Sequence, residues 1–235
     1  MSAIEVINKN FIELWKRTNF PAESKVYTPM QYKTPKPNSI VFVGMNPSFS
    51  LGGFKKILSH TKQPDLDVQK FYKWPITKDF DINFAHEIET YSLKHYAFFE
   101  QCRRLAKDLN KDWEHLDLFA YRETDQNKTK LLVIEKGSKF KLNEFGSEQF
   151  LLFFKILTLS KPCAIVVANA FASNIYMEQR KSELTFNDNL GYYQETLNGE
   201  KLIPIFFSGM LTGGRALDAF SRERLFWQIK KVISS

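Results

Sequence analysis

Residues 40–43 (IVFV), 163–170 (CAIVVANA) and 203–207 (IPIFF) are almost wholly apolar and too short to be helices. A strand with one wet face alternates apolar with polar residues, so a run without alternation belongs in a sheet covered on both sides. HLDLFAYRETDQ, beginning at His115, reads as a further strand running into a polar loop and stands second in chain order. Helical periodicity fills the intervals: residues 3–18, 91–109 (Leu93, Tyr96, Ala97, Phe99, Leu105 and Leu109), 147–159, a helix opening with FASNIYMEQRK, and a last helix over 215–233 with Leu217, Phe220, Leu225, Ile229 and Val232 on one side. The spacing predicts an α/β fold, a three-layer α/β/α arrangement around a central, mainly parallel four-stranded sheet with right-handed crossovers. Asn198-Gly199 reads as a hairpin turn ahead of the fourth strand, and residues 48–83 as a long irregular stretch of the kind that carries binding surfaces.

With 235 residues the chain has enough material for one core, and residues 1–235 are read as a single domain. The first residues, MSAIEVINKNFIELWKR, lack the apolar run of a signal peptide and nothing approaches a membrane span, so a cytoplasmic monomer is the expectation. Two cysteines, Cys102 and Cys163, cannot make a four-cysteine zinc or iron–sulfur site and read as core thiols. His60, His86, His95 and His115 lack metal-ligand spacing. His95 falls in a helix and His115 just ahead of the second strand, which sets both outside the chemistry; His60 and His86 read as solvated loop residues. No metal or cofactor is expected. The net charge of +7 favours a polyanionic partner such as nucleic acid.

Ligands of such sheets bind beyond the carboxyl ends of the strands. The segments leaving those ends are GMNPSFS, DLFAYRET, ANAFAS and SGMLTGGR. Taken alone, Asn46-Pro47 is a common turn pair, Asn169 a plausible helix cap, and SGMLTGG a flexible loop. In this order the four segments resemble the uracil-DNA glycosylase superfamily, particularly its single-strand-selective and mismatch-specific branches. The resemblance is carried by Gly44-Met45-Asn46-Pro47-Ser48, by DLFAYR at the second strand exit, and by FFSGMLTGGRALD ahead of the terminal helix; it spans residues 38–232 by order of elements, and the first motif is close in letters.

The resemblance implies a cofactor-free DNA glycosylase that flips a base and cuts its bond to the sugar with water. Asn46 would hold that water through its amide carbonyl, positioning it without accepting its proton. Ser208 stands where the family commonly has His or Asn and would give weaker help to the departing base. Met45, Phe49, Phe54 and Asp117 are the candidate base-binding residues, with Phe71, Tyr72 and Trp74 as alternative stacking rings. Asp117 stands where uracil-reading branches carry Asn; ionised, it repels a base carbonyl, and only burial in the protonated form restores a donor, while an ion pair with Arg122 is the alternative role. On the DNA side, Pro47 and Ser48 would set register on a phosphate, Met210 and Leu211 would be the wedge filling the vacated stack, and Gly209, Thr212, Gly213, Gly214 and Arg215 would form a phosphate site at the start of the last helix. Lys55, Lys56, Lys62, Lys70, Lys73 and Lys78, with Arg222, Arg224, Lys230 and Lys231, would track the backbone. Two rival functions remain: a binding module of the same fold without cleavage, and an unrelated Rossmann-like nucleotide enzyme, against which GMNPS, lacking a dinucleotide or P-loop glycine pattern, argues.

Overall fold

The computed structural model describes residues 1–197, Gly199 and residues 201–234. In chain order the elements are α1 (Ala3–Arg17), β1 (Ile40–Gly44), α2 (Leu51–Leu58), α3 (Val68–Phe71), α4 (Ile82–His95), a 3₁₀ turn (Ala97–Phe99), α5 (Glu100–Asp108), β2 (Trp113–Asp117), α6 (Gln126–Val133), α7 (Glu144–Leu159), β3 (Ala164–Ala168), α8 (Ala170–Arg180), β4 (Thr185–Asn187), β5 (Tyr192–Leu197), β6 (Lys201–Ser208) and α9 (Ala219–Ser234).

The sheet runs β2-β1-β3-β6-β5-β4. The four anticipated strands, β1, β2, β3 and β6, pair in parallel, whereas β5 and β4 join antiparallel at one edge. The sheet is therefore mixed and six-stranded, larger than the four strands expected. Of the two additional strands β4 is mostly exposed and β5 only partly covered, the mark of an edge rather than a sealed centre. Asn198 of the expected turn lies outside the described residues; its neighbour Gly199 has φ of 71°.

Residues 40–43 are fully buried because helices cover both faces. Val41, Val43, Ile165, Val167 and Ile205 pack under α1, α7 and α8. Ile40, Phe42, Ala164, Val166 and Phe206 pack on the other face under α5 and α9. A third cluster joins α2, α3 and α4 through Phe54, Ile57, Phe71, Tyr72, Phe84 and Ile88. The stretch 48–83 thus holds two helices of its own and the start of a third, with Ser50, Asp67 and Asp81 supplying their N-cap acceptors.

The single helix expected over 91–109 is interrupted at Tyr96, whose backbone is extended, and resumes as α5 after the 3₁₀ turn. Four successive apolar residues, 96–99, cannot share one face of a helix, and the break resolves the conflict. The last helix begins at Ala219 rather than 215. Phe220, expected among its core residues, is 81% exposed; five residues separate it from Leu225, which places the two on opposite sides. Among the described residues no helix is long and apolar enough to cross a membrane. Cys102 is buried and Cys163 partly so, and both are free thiols.

α7 approaches α6 closely at its first turn: a Cβ at Gly146 would run into the Val133 carbonyl oxygen, a backbone atom that cannot swing away. Gly146→Ala is expected to lower stability by about 1–3 kcal/mol, the range for overpacking, read as a reduced urea midpoint at unchanged slope.

Candidate functional site

Where β1, β2 and β3 end, the structure encloses a cavity of about 320 Å³, near the lower bound of the ~300–1,000 Å³ typical of small-molecule sites. Register dictates what faces it. Phe42 pairs with His115 and Gly44 with Asp117, so alternation puts 42, 44 and 46 of the first strand and its exit on the same side as 115 and 117 of the second. Gly44, Asn46, His115 and Asp117 line the cavity, joined by Phe54 of α2, Ile88 and Glu89 of α4, the rings of Tyr96, Phe98 and Phe99, and Met210 with Arg215 from the segment after β6.

Gly44 is required here by close approach. A Cβ at this position would collide with Asp117 Oδ1 and stand 3.0 Å from His115 Nε2. The exits of the two strands are stitched together beyond the sheet, with Leu118 N donating to Gly44 O at 3.1 Å, Phe119 N to Met45 O at 3.0 Å and Glu123 N to Pro47 O at 3.0 Å. The Asn46 side chain completes the seam: Nδ2 donates to Glu123 O at 2.6 Å and Tyr121 O at 3.2 Å. Carbonyl acceptors on Nδ2 fix which end of the amide is which, and no donor among the described residues reaches Oδ1. The carbonyl of Asn46 is left as an acceptor in the cavity wall.

Asp117 is 5% exposed, and its carboxyl oxygens have no hydrogen-bond donor among the described residues. Burial, reinforced by the Glu89 carboxylate and opposed by Arg122, pushes it up to about 8. Burial likewise pushes His115 down to about 4. The 3.8 Å separation of His115 Nδ1 from Asp117 Oδ2 is therefore a contact between two neutral groups near pH 7, not an ion pair. The cavity wall thus presents a carboxylic O–H, a carboxylic C=O and a neutral imidazole, all without protein partners.

Arg122 does not pair with Asp117. It is 3% exposed and donates through Nη2 to Glu89 Oε1 at 3.0 Å and through Nε to Thr28 O at 3.2 Å, with its guanidinium 4.2 Å from the centroid of the Tyr72 ring. It ties α4, the segment before β1 and the end of α3 around the site.

The other expected residues divide. Pro47, Ser48, Phe54, Met210 and Arg215 line the cavity. Ser48 Oγ lies 3.1 Å from Thr124 Oγ1. Met45 borders the cavity but packs into the core of the opposite sheet face, so it offers a base little. Phe49 is outside: its ring stacks on Tyr27 with centroids 3.7 Å apart. Ser208 is also outside, and its hydroxyl donates to Gly209 O at 3.0 Å.

Leu211 cannot be a protruding wedge, since at 3% exposure it belongs to the core under α5 and α9. Gly209 packs against Leu217, and Thr212 Oγ1 donates to Phe98 O at 2.7 Å, anchoring the loop to the 3₁₀ turn. Gly213 and Gly214 precede α9, and at its first turn the Asp218 carboxylate already accepts from Ser221 N at 3.0 Å. That acidic cap replaces the expected phosphate site. Asn169 caps α8 by accepting from Phe171 N and Ala172 N, and also reaches the cavity.

Sequence reasoning missed His115, Tyr96, Phe98, Phe99 and Glu89. The aromatic trio had a readable signal, a run of rings too wide for one helical face; Glu89 had none. His86 is not a loop residue but lies half-buried in α4, whereas His60 is exposed in the turn after α2 as expected and stacks on His95 with centroids 4.2 Å apart. Among the described residues, no group of three or more His, Cys, Asp or Glu side chains is arranged to hold a metal ion. No protein-family model matches the chain, and no curated protein matches it.

The upward shift of Asp117 has a sign that can be tested. Between about pH 4 and pH 8 the unfolded chain carries this group ionised while the folded chain keeps it protonated. The folded state then binds the extra proton, and stability declines as pH rises through that window. Asp117→Asn is expected to be more stable than the wild type at pH 8, with the gap closing towards pH 4, as followed by thermal melts across pH.

Proposed function

We propose that this protein is a DNA glycosylase that hydrolyses the bond between the sugar and a flipped, uracil-like or otherwise damaged or mispaired base, with water held by Asn46. The observation that carries this reading is the Asn46 amide. Its nitrogen is committed to the Tyr121 and Glu123 carbonyls and its oxygen is left over, in the wall of a cavity of about 320 Å³. A free amide oxygen held rigidly by its own nitrogen suits orientation of a nucleophilic water, a contribution made by positioning rather than by proton abstraction.

Asp117 supports the identity of the base. A protonated carboxyl carries one donor and one acceptor side by side, the pattern an Asn amide would offer, and it complements a ring N–H beside a carbonyl. The objection that an ionised Asp repels uracil falls away in a site that keeps it neutral at pH 7. Phe54, Tyr96, Phe98 and Phe99 supply apolar ring surface on which an extruded base can stack, offsetting the few kcal/mol lost on flipping. Met210 and Arg215 place an apolar tip and a cation on the same wall.

A second reading has its own observation. Ser208 is turned onto Gly209 O and away from the cavity, so the leaving base receives no hydroxyl from β6. A protein that holds an extruded base without cutting it fits that arrangement, and the same assay separates the two. Oligonucleotides carrying uracil, hydroxymethyluracil, hypoxanthine, xanthine or mismatched thymine are incubated with the protein and treated with alkali. Strand breakage at one or more of these bases is expected, with Asn46→Ala slowing it about 100-fold or more. Binding of a modified oligonucleotide without breakage establishes the second reading; equal rates in both proteins remove the role of Asn46.

Excision is also expected to fall as pH rises through about 8, where Asp117 loses its donor proton. Asp117→Asn, which keeps a donor and an acceptor without titrating, should hold its rate across pH 7–9. A wild-type profile flat over that range would show that the Asp117 proton plays no part.

A further inference from the structure

The outer face of α9 is the most conspicuous feature that the cavity does not absorb. Its inner face buries Leu225, Phe226 and Ile229. A surface helix ordinarily turns charged and polar residues outward, yet Phe220 is 81% exposed and Trp227 60% exposed. At 100° per residue, positions 220, 224, 227 and 231 fall within one narrow stripe. The stripe reads Phe220, Arg224, Trp227, Lys231, ring and cation alternating turn by turn, and all four are exposed.

The cations of this stripe are not used internally. Lys230, off to one side, is bound to Asp108 at 2.8 Å. Arg224 and Lys231 have no carboxylate partner among the described residues, and Glu223 is the one acid flanking them on the helix. Lys231 Nζ lies 5.9 Å from the centroid of the Trp227 ring, close enough to favour a cation beside a π-face. The stripe starts only a few residues after Arg215, which lines the cavity.

We infer that the outer face of α9 is a binding site for single-stranded nucleic acid, with unpaired bases stacking on Phe220 and Trp227 and phosphates meeting Arg224 and Lys231. Alternating rings and cations along a line is the composition that holds an unpaired strand without regard to sequence, since every base has a π-face and every linkage a charge. Paired bases cannot reach the rings, so a duplex gains only the charge contacts. From 220 to 231 the helix rises about 16 Å, the length of about five stacked nucleotides at 3.4 Å each. The site goes beyond the cavity reading and needs no bond cleavage.

The test uses the intact protein and an unmodified, fluorescently labelled oligothymidine of eight residues, followed by anisotropy at several salt concentrations. Arg224→Glu with Lys231→Glu should weaken binding at least tenfold and flatten the dependence of log affinity on log salt by about 1.4, two phosphate contacts at roughly 0.7 each for a single strand. Phe220→Ala with Trp227→Ala should weaken it about tenfold or more while leaving the salt slope unchanged. The conservative pair Arg224→Lys and Lys231→Arg should retain affinity, and Asn46→Ala should bind like the wild type, which separates this site from the cavity. Unchanged affinity in either stripe variant overturns the inference. So does equal binding of a blunt duplex through both rings and cations, or concentration-dependent quenching of Trp227 without oligonucleotide, which would mark the stripe as a contact between copies of the chain.

Discussion

The seam between the exits of β1 and β2 is the constraint on which the site depends. Two parallel strands ordinarily diverge once their ladder ends, because the loops that follow lead to different helices. Here the backbone bonds continue past Gly44 and Asp117, and the Asn46 side chain reaches over to the Tyr121 and Glu123 carbonyls. The seam is possible only because position 44 has no Cβ to displace the Asp117 carboxyl. A single absent methyl group therefore sets how near the amide and the carboxyl can stand, and with it the width of the cavity between them.

Holding the seam closed has an electrostatic consequence. Three ionisable groups, Glu89, Arg122 and Asp117, occupy the same water-poor region, and desolvation penalises each unless it is paired. Arg122 and Glu89 satisfy one another at 3.0 Å. Asp117 is left as the odd carboxyl, and the least costly state for it is neutral. The neutral acid is thus a product of the pairing around it: were Arg122 turned to Asp117 in place of Glu89, the carboxyl would ionise and lose its donor.

The parallel heart of the sheet was legible because burial on both faces writes itself into a strand as an unbroken apolar run, as in residues 40–43 and 164–167. The edge strands were less so; Thr185–Asn187 and Tyr192–Leu197 mix polar and apolar residues as loops do, and only the pairing of β5 with β6 and of β4 with β5 makes them strands. In α2, Gly52 and Gly53 mask a helix whose first turn Ser50 caps. Asn46 and Asp117 could be picked out from their positions at strand exits, but the partner of Arg122 could not, since Glu89 is 33 residues away and nothing local records the pairing. Leu211 shows the same limit in another form. An apolar pair between glycines either projects or tucks in, and the choice rests with the space left between α5 and α9.

Discrimination among bases and affinity for a nucleic-acid chain are, on the proposed reading, assigned to physically different parts of the molecule. Groups inside the cavity that meet a base are neutral near pH 7, so added salt has little there to screen, whereas a change of proton occupancy on Asp117 alters the pattern of donors and acceptors. Arg215, Arg224 and Lys231 stand in water, where their attraction to phosphate is screened within about 10 Å at 0.1 M salt and no accessible pH removes the arginine charges. A mixed site, with unpaired cations buried inside the cavity rather than exposed to water as Arg215 is, would tie the two responses together and would favour any anionic ligand over a neutral base. Pairing buried Arg122 with Glu89 while leaving exposed Arg215, Arg224 and Lys231 without carboxylate partners among the described residues keeps them apart: ionic strength then governs how long a strand stays on the surface, and proton occupancy governs which base the cavity accepts.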